Sequence, residues 1–162
     1  MAELTHVEEK LAEVIGLAMA AQAATDKVIK LDEAESAADL LRRMKAEAAE
    51  AEKRGSTLVD SMEGKKTAIL EKARETKSKA SDMLKTYLDD DSDALDGFEF
   101  LTMAEAGEVG HWKVLRQMAQ EGGHQQLVKL SEWAIPIQER HFGDVQSTSL
   151  KLAAAEDPNE PA

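Results

Sequence analysis

The sequence predicts an all-α protein, and three observations carry that prediction. Alanine, glutamate, lysine, leucine and methionine, all strong helix formers, dominate the chain, while strand formers are confined to short patches. Only 3 prolines and 9 glycines interrupt its 162 residues. Apolar residues recur at the three-and-four spacing of amphipathic helices along most of its length. That length suits one domain with one core, expected over residues 1–152, and the acidic, proline-containing tail 153–162 is expected to be disordered.

Five helices account for the pattern. The first, α1, is predicted from about residue 3 to as far as residue 30, on the stripe Leu4, Val7, Leu11, Val14, Ile15 and Ala18 continued by Val28 and Ile29. A cap region at 32–36 precedes α2, whose stripe runs from Ala37 through Leu41, Met44, Ala48 and Val59 to Met62 and ends near Gly64. Next comes α3, over about 65–88, with Ile69, Ala73, Ala80, Met83, Leu84 and Tyr87 inward and a dense Lys/Glu face outward. The aspartate run at 89–93 supplies the N-cap and first-turn acids of α4, predicted over about 92–120. It lacks the glycine and terminal glutamate of an EF-hand loop, which argues against calcium. Gly122 and Gly123 suit a left-handed C-terminal cap. Finally α5, from about 124 to 152, carries Pro136 inside it, where a kink or a lost backbone hydrogen bond is expected. The predicted architecture is a four- to five-helix bundle with antiparallel α1/α2 and α4/α5 hairpins joined by α3.

Charge and composition narrow the function. With 32 acids against 20 bases the formal charge is −12, which opposes a general electrostatic affinity for nucleic acid or anionic lipid. The absence of cysteine excludes thiolate metal sites and thiol nucleophiles, so any metal must be held by carboxylate, imidazole or water. The N-terminal residues show no secretory pattern, and the most apolar stretch, 14–24, falls well short of the roughly 20 residues a membrane span needs. The expectation is a soluble cytoplasmic protein, with a homodimer through the alanine- and methionine-rich faces of α1 and α2 a plausible assembly. The lysines and arginine of α3, from Lys65 to Lys79, read first as a solvated face and second as a docking face.

One constellation carries chemistry. Glu108-Val109-Gly110-His111 and Gln138-Glu139-Arg140-His141 each place a carboxylate or amide three residues before a histidine, the spacing by which bundles present ligands inward. At ~100° per residue, Glu108 falls at the centre of the inner stripe of α4 with Glu105 and His111 flanking it; on α5 Gln138 is central and His141 flanks. Glu108 lies fifteen residues before Gly123 and Gln138 fifteen after it, so an antiparallel pair turning there brings them face to face. A carboxylate in an apolar stripe must be paired, protonated or bound to a cation. These groups suit either a metal or a metal-free hydrogen-bond network in which Gln138 and His141 satisfy Glu108. Glu8 on α1 and Glu47 on α2 flank their own stripes and are level with each other only if the α1/α2 turn falls near 26–30. Trp112 and Tyr87 read as core residues before redox neighbours.

Glu8-Glu9-Lys10-Leu11, the Met44 to Glu47 stretch, and Ala104-Glu105-Ala106-Gly107-Glu108 followed by Leu115 and Glu121-Gly122 together resemble ferritin-like proteins of the rubrerythrin superfamily, in particular its stress-associated branch of small bacterial proteins. That resemblance implies two iron or manganese ions held by four carboxylates and two histidines, and iron oxidation, oxygen activation or peroxide removal as the chemistry. It assigns Glu8, Glu47, Glu108 and His111 to ligand positions, with Glu105 as an additional one. Gln138 stands where the family has a carboxylate, and no histidine follows Glu47. The implied centre is therefore a reduced one, built from Glu8, Glu47, Glu105, Glu108, His111, Gln138 and His141, or a lost one in a structural or partner-binding bundle.

Overall fold

The computed structural model describes residues 2–161 and is all-helical, with no strand among them. The helices are α1 (His6–Val28), α2 (Ala38–Asp60), α3 (Lys66–Tyr87), α4 (Ala94–Gly122) and α5 (Gln125–Ala155), with a short 3-10 turn at Ala34–Ala37. Local chemistry explains the ends. Thr5 caps α1 in a capping box with Glu8, and Asp93 caps α4 in one with Asp96. Gly123, at φ 72°, ends α4 in the left-handed conformation. The Gly123 and His124 amides donate to the Gln120 and Ala119 carbonyls, the paired bonds of a Schellman turn. The helix α5 continues through Pro136, which supplies no amide to the ladder.

Cross-helix pairs fix the directions. Gln22 with Glu52 and Lys45 with Asp26 make α1 and α2 antiparallel. Thr102 with Ser149 and Lys113 with Glu139 do the same for α4 and α5, as Arg43 with Asp144 and Glu47 with Arg140 do for α2 and α5. The helix α3 runs parallel to α1, from the Glu8–Lys65 pair at one end to the Lys27 ammonium donating to the Leu88 carbonyl at the other. It is thus more than a connector, because it lies along α1 for its whole length. Gly16 permits this closeness: a Cβ there would meet the Ala73 carbonyl oxygen and lie 2.7 Å from Thr76 Cβ. With α2, α3 and α4 all packed on it, α1 is the central helix, which its continuous apolar run from Val14 to Ala21 suits better than a one-sided stripe.

Two apolar clusters fill the interior. One gathers Leu11, Ile15, Ile69, Trp112, Leu115 and Leu127; the other gathers Val28, Leu41, Met44, Phe98, Leu101 and Val145. Trp112 is core, as its stripe predicts, but Tyr87 is 59 % exposed and Met83 also faces solvent. Leu84 and Leu88 take the inward positions at this end of α3, and Met83 and Tyr87, each one residue before them, are rotated away by ~100°. Tyr87 instead packs its ring 6.0 Å from that of Phe100.

Candidate functional site

Between the two apolar clusters lies a buried polar layer contributed by α2, α4 and α5. On α4, Glu105 and Glu108 sit one turn apart and both face inward, and on α5 Gln138 and His141 do the same. Glu105 and His141 are each only 2 % exposed. The Gln138 amide donates to Glu108 Oε2, the pairing that equal distance from the Gly123 turn requires. The Lys113–Glu139 pair, at 2.7 Å, shows Glu139 on the outside of the same interface.

His141 joins the layer's two sides. Its Nδ1 lies 3.6 Å from Glu105 Oε2, and its Nε2 lies 3.6 Å from Glu47 Oε1 on α2. Both separations are too long for hydrogen bonds. Glu47 is further held by Arg140, which donates to its other oxygen, and by Arg43 at 3.6 Å. Three buried atoms consequently have no hydrogen-bond partner: Glu47 Oε1, Glu105 Oε2 and His141 Nε2. Burial pushes the Glu108 carboxyl well above the ordinary carboxylate range, the neighbouring Glu105 charge pushes it the same way, and the Gln138 bond opposes both.

Two of the sequence candidates stand apart. Glu8 is the third residue of its helix, where its carboxylate accepts from the Thr5 amide at 2.8 Å and pairs with Lys65 at 3.3 Å. Burial works to raise its pKa, but the Thr5 amide, Lys65 and the Thr5 hydroxyl outweigh that and hold it low. The loop after α1 spans residues 29–37, later than the turn at 26–30 that would level Glu8 with Glu47. The α1 residue that lines the polar layer is Ala18, about 15 Å of helix beyond Glu8. His111 turns to the α1/α4 rim, with 41 % of its side chain exposed and Nδ1 3.2 Å from Glu13. The motif Thr5-His6-Val7-Glu8, a capping box in the sequence itself, is the signal that places Glu8 at a helix start.

The donor chemistry that remains suits a cation. An ion bonded at ~2.1 Å to both Glu105 Oε2 and His141 Nδ1 would see them at roughly 120°, an ordinary ligand angle. The two nitrogens of one imidazole diverge, however, so the Glu47 side addresses a different position. Each position has two donors, and among the described residues no group of three His, Asp or Glu side chains is arranged to hold a metal ion. Each pair offers an ion two protein donors at most, and neither forms the two-ion centre that the resemblance implies. No family model matches the chain, and neither a curated protein nor a solved structure matches it. Among the described residues no helix is long and apolar enough to cross a membrane.

Proposed function

We propose that the protein is a cytoplasmic, ferritin-like helical bundle with a reduced metal centre, in which Glu105 and His141 hold a single iron or manganese ion for redox chemistry in a stress response, with Glu108 beside them and Glu47 on the far side of the imidazole. The observation that carries this reading is the presence in one layer, on the two sides of a single imidazole, of three buried atoms with no hydrogen-bond partner, Glu47 Oε1, Glu105 Oε2 and His141 Nε2. Buried polar groups are normally satisfied, and carboxylates beside an imidazole suit iron or manganese. The chain path supports the ferritin-like part: α1, α2, α4 and α5 run up, down, down and up, and α3 serves as the one long crossover between the second and third, the connectivity of that class. When bound, such an ion supplies one-electron redox chemistry; the chain supplies its carboxylates, its imidazole and a dry apolar surround.

Metal analysis of protein purified without chelator, followed by calorimetric titration with Fe(II) and Mn(II), tests the reading. The expected result is about one ion per chain, lost in Glu105→Ala and in His141→Ala. Substoichiometric metal throughout, with no binding heat, would overturn it. A metal-free bundle acting as a structural or partner-binding protein is the second reading, favoured by the Gln138–Glu108 bond and by the arginines that already neutralise Glu47. It predicts a melting temperature indifferent to added metal and to chelator, whereas an ion bound only by the folded state must raise it.

A further inference from the structure

Beside the polar layer, α1, α3 and α4 enclose a cavity of ≈ 200 Å³. It exists because Ala20, Ala80, Ala104 and Gly107 present almost no side chain at the point where the three helices meet. Leu17, Leu84, Phe100 and Leu101 form apolar walls, and the exposed Met83 and Met103 form a flexible mouth. Its lining is interrupted by the same two carboxylates, Glu105 and Glu108, and at its edge by Ser81 and His111, and among the described residues neither carboxylate is paired with a lysine or arginine. Glu105, 2 % exposed, keeps an oxygen with no hydrogen-bond partner.

We propose that this cavity is a binding site for a small primary amine whose apolar body fills the space between α1, α3 and α4 and whose ammonium group meets Glu105 and Glu108. Three features of the site select that ligand class. The volume somewhat exceeds the ~150 Å³ of a dry engineered cavity that takes up benzene, so a one-ring or six-carbon ligand fits. Apolar walls with a few convergent polar groups are the usual make-up of a small-molecule site. A buried carboxylate pair with no lysine or arginine beside it, its basic neighbours being the imidazoles of His141 and His111, favours a cationic head, disfavours an anionic one, and gives a neutral hydroxyl no charge to neutralise. The inference goes beyond the metal centre and does not rest on it. Because an ion and an amine would draw on the same carboxylates, they are expected to compete.

Calorimetry on chelator-treated protein with 2-phenylethylamine, 2-phenylethanol and 3-phenylpropanoate tests it. The amine is expected to bind at least tenfold more tightly than the alcohol, and the acid not at all. Glu105→Gln combined with Glu108→Gln should abolish the preference for the amine over the alcohol. Gly107→Leu should abolish binding of both by filling the cavity; a Cβ at Gly107 meets nothing within 4 Å and leucine is the better helix former, so this variant folds. Equal or tighter binding of the alcohol, a preference that survives the double glutamine variant, or no binding of millimolar amine would each overturn the proposal. Metal titration of the same preparation separates the two ideas: an ion that binds where the amine fails leaves the metal centre standing and removes the amine site, and the converse result does the reverse.

Discussion

Glu108 is the residue on which the interior turns. Its folded pKa lies above its unfolded one, so the native state holds a proton that the unfolded chain releases as the pH passes the ordinary carboxylate value. The stability this contributes is full below the unfolded pKa and is lost as pH rises through the elevated folded value. Glu108→Gln, which keeps the shape and the bond to Gln138, is therefore expected to flatten the fall of stability across that window. Above it, the variant should exceed the parent by about 1–3 kcal/mol. Melting curves from pH 4 to 8 decide the matter, and an unchanged pH slope would count against it. Glu8 has the opposite character: its lowered pKa contributes stability above the unfolded value that is lost as pH falls. Glu8→Ala is expected to cost about 1 kcal/mol as a lost capping box and ion pair, while metal content stays unchanged. The central placement of Glu108 and Gln138 was legible from the wheel alone, because α4 and α5 are long and joined by a short turn, whereas Glu105, His111 and His141 all read as flanking and only Glu105 and His141 are buried. The placement of Glu8 and His111 was not legible, because a flanking position is settled by neighbours on another helix, here Lys65 and Glu13.

At the scale of elements, the five helices were legible because each has its own apolar stripe and its own punctuation, but the place of α3 was not. Periodicity says which face of a helix is buried and nothing about which helix buries it. The close passage of α1 and α3 depends on Gly16, which a sequence reading passes over as one small residue in an apolar run. Gly16→Ala should destabilise the protein by about 1–3 kcal/mol through overpacking, despite the gain in helix propensity. Gly110, exposed on α4 with nothing within 4 Å of a built Cβ, provides the contrast. Gly110→Ala should stabilise by about 0.5–1 kcal/mol. Denaturant titration of the pair measures both, and two shifts of the same sign would refute the close-approach account.

Across the whole molecule, the polar layer divides the apolar interior into two clusters that share no buried residue. Substitutions confined to different clusters should then act independently. Ile69→Val in one and Val145→Ala in the other are expected to cost roughly 1 and 2 kcal/mol, and to add within about 0.5 kcal/mol in the double variant. A larger coupling, measured by chemical denaturation of the cycle, would mean that the interior responds as one body. The turn at Gly123 bears on the same layer in another way. It sets the point from which α4 is counted backwards and α5 forwards, so the functional groups are addressed by chain distance as much as by identity. One residue inserted within α5 ahead of the layer, between Ser131 and Glu132, would carry Gln138 and His141 round by ~100° and along by ~1.5 Å relative to the start of the helix. Every side chain of the layer would survive in the sequence, and none would find its counterpart.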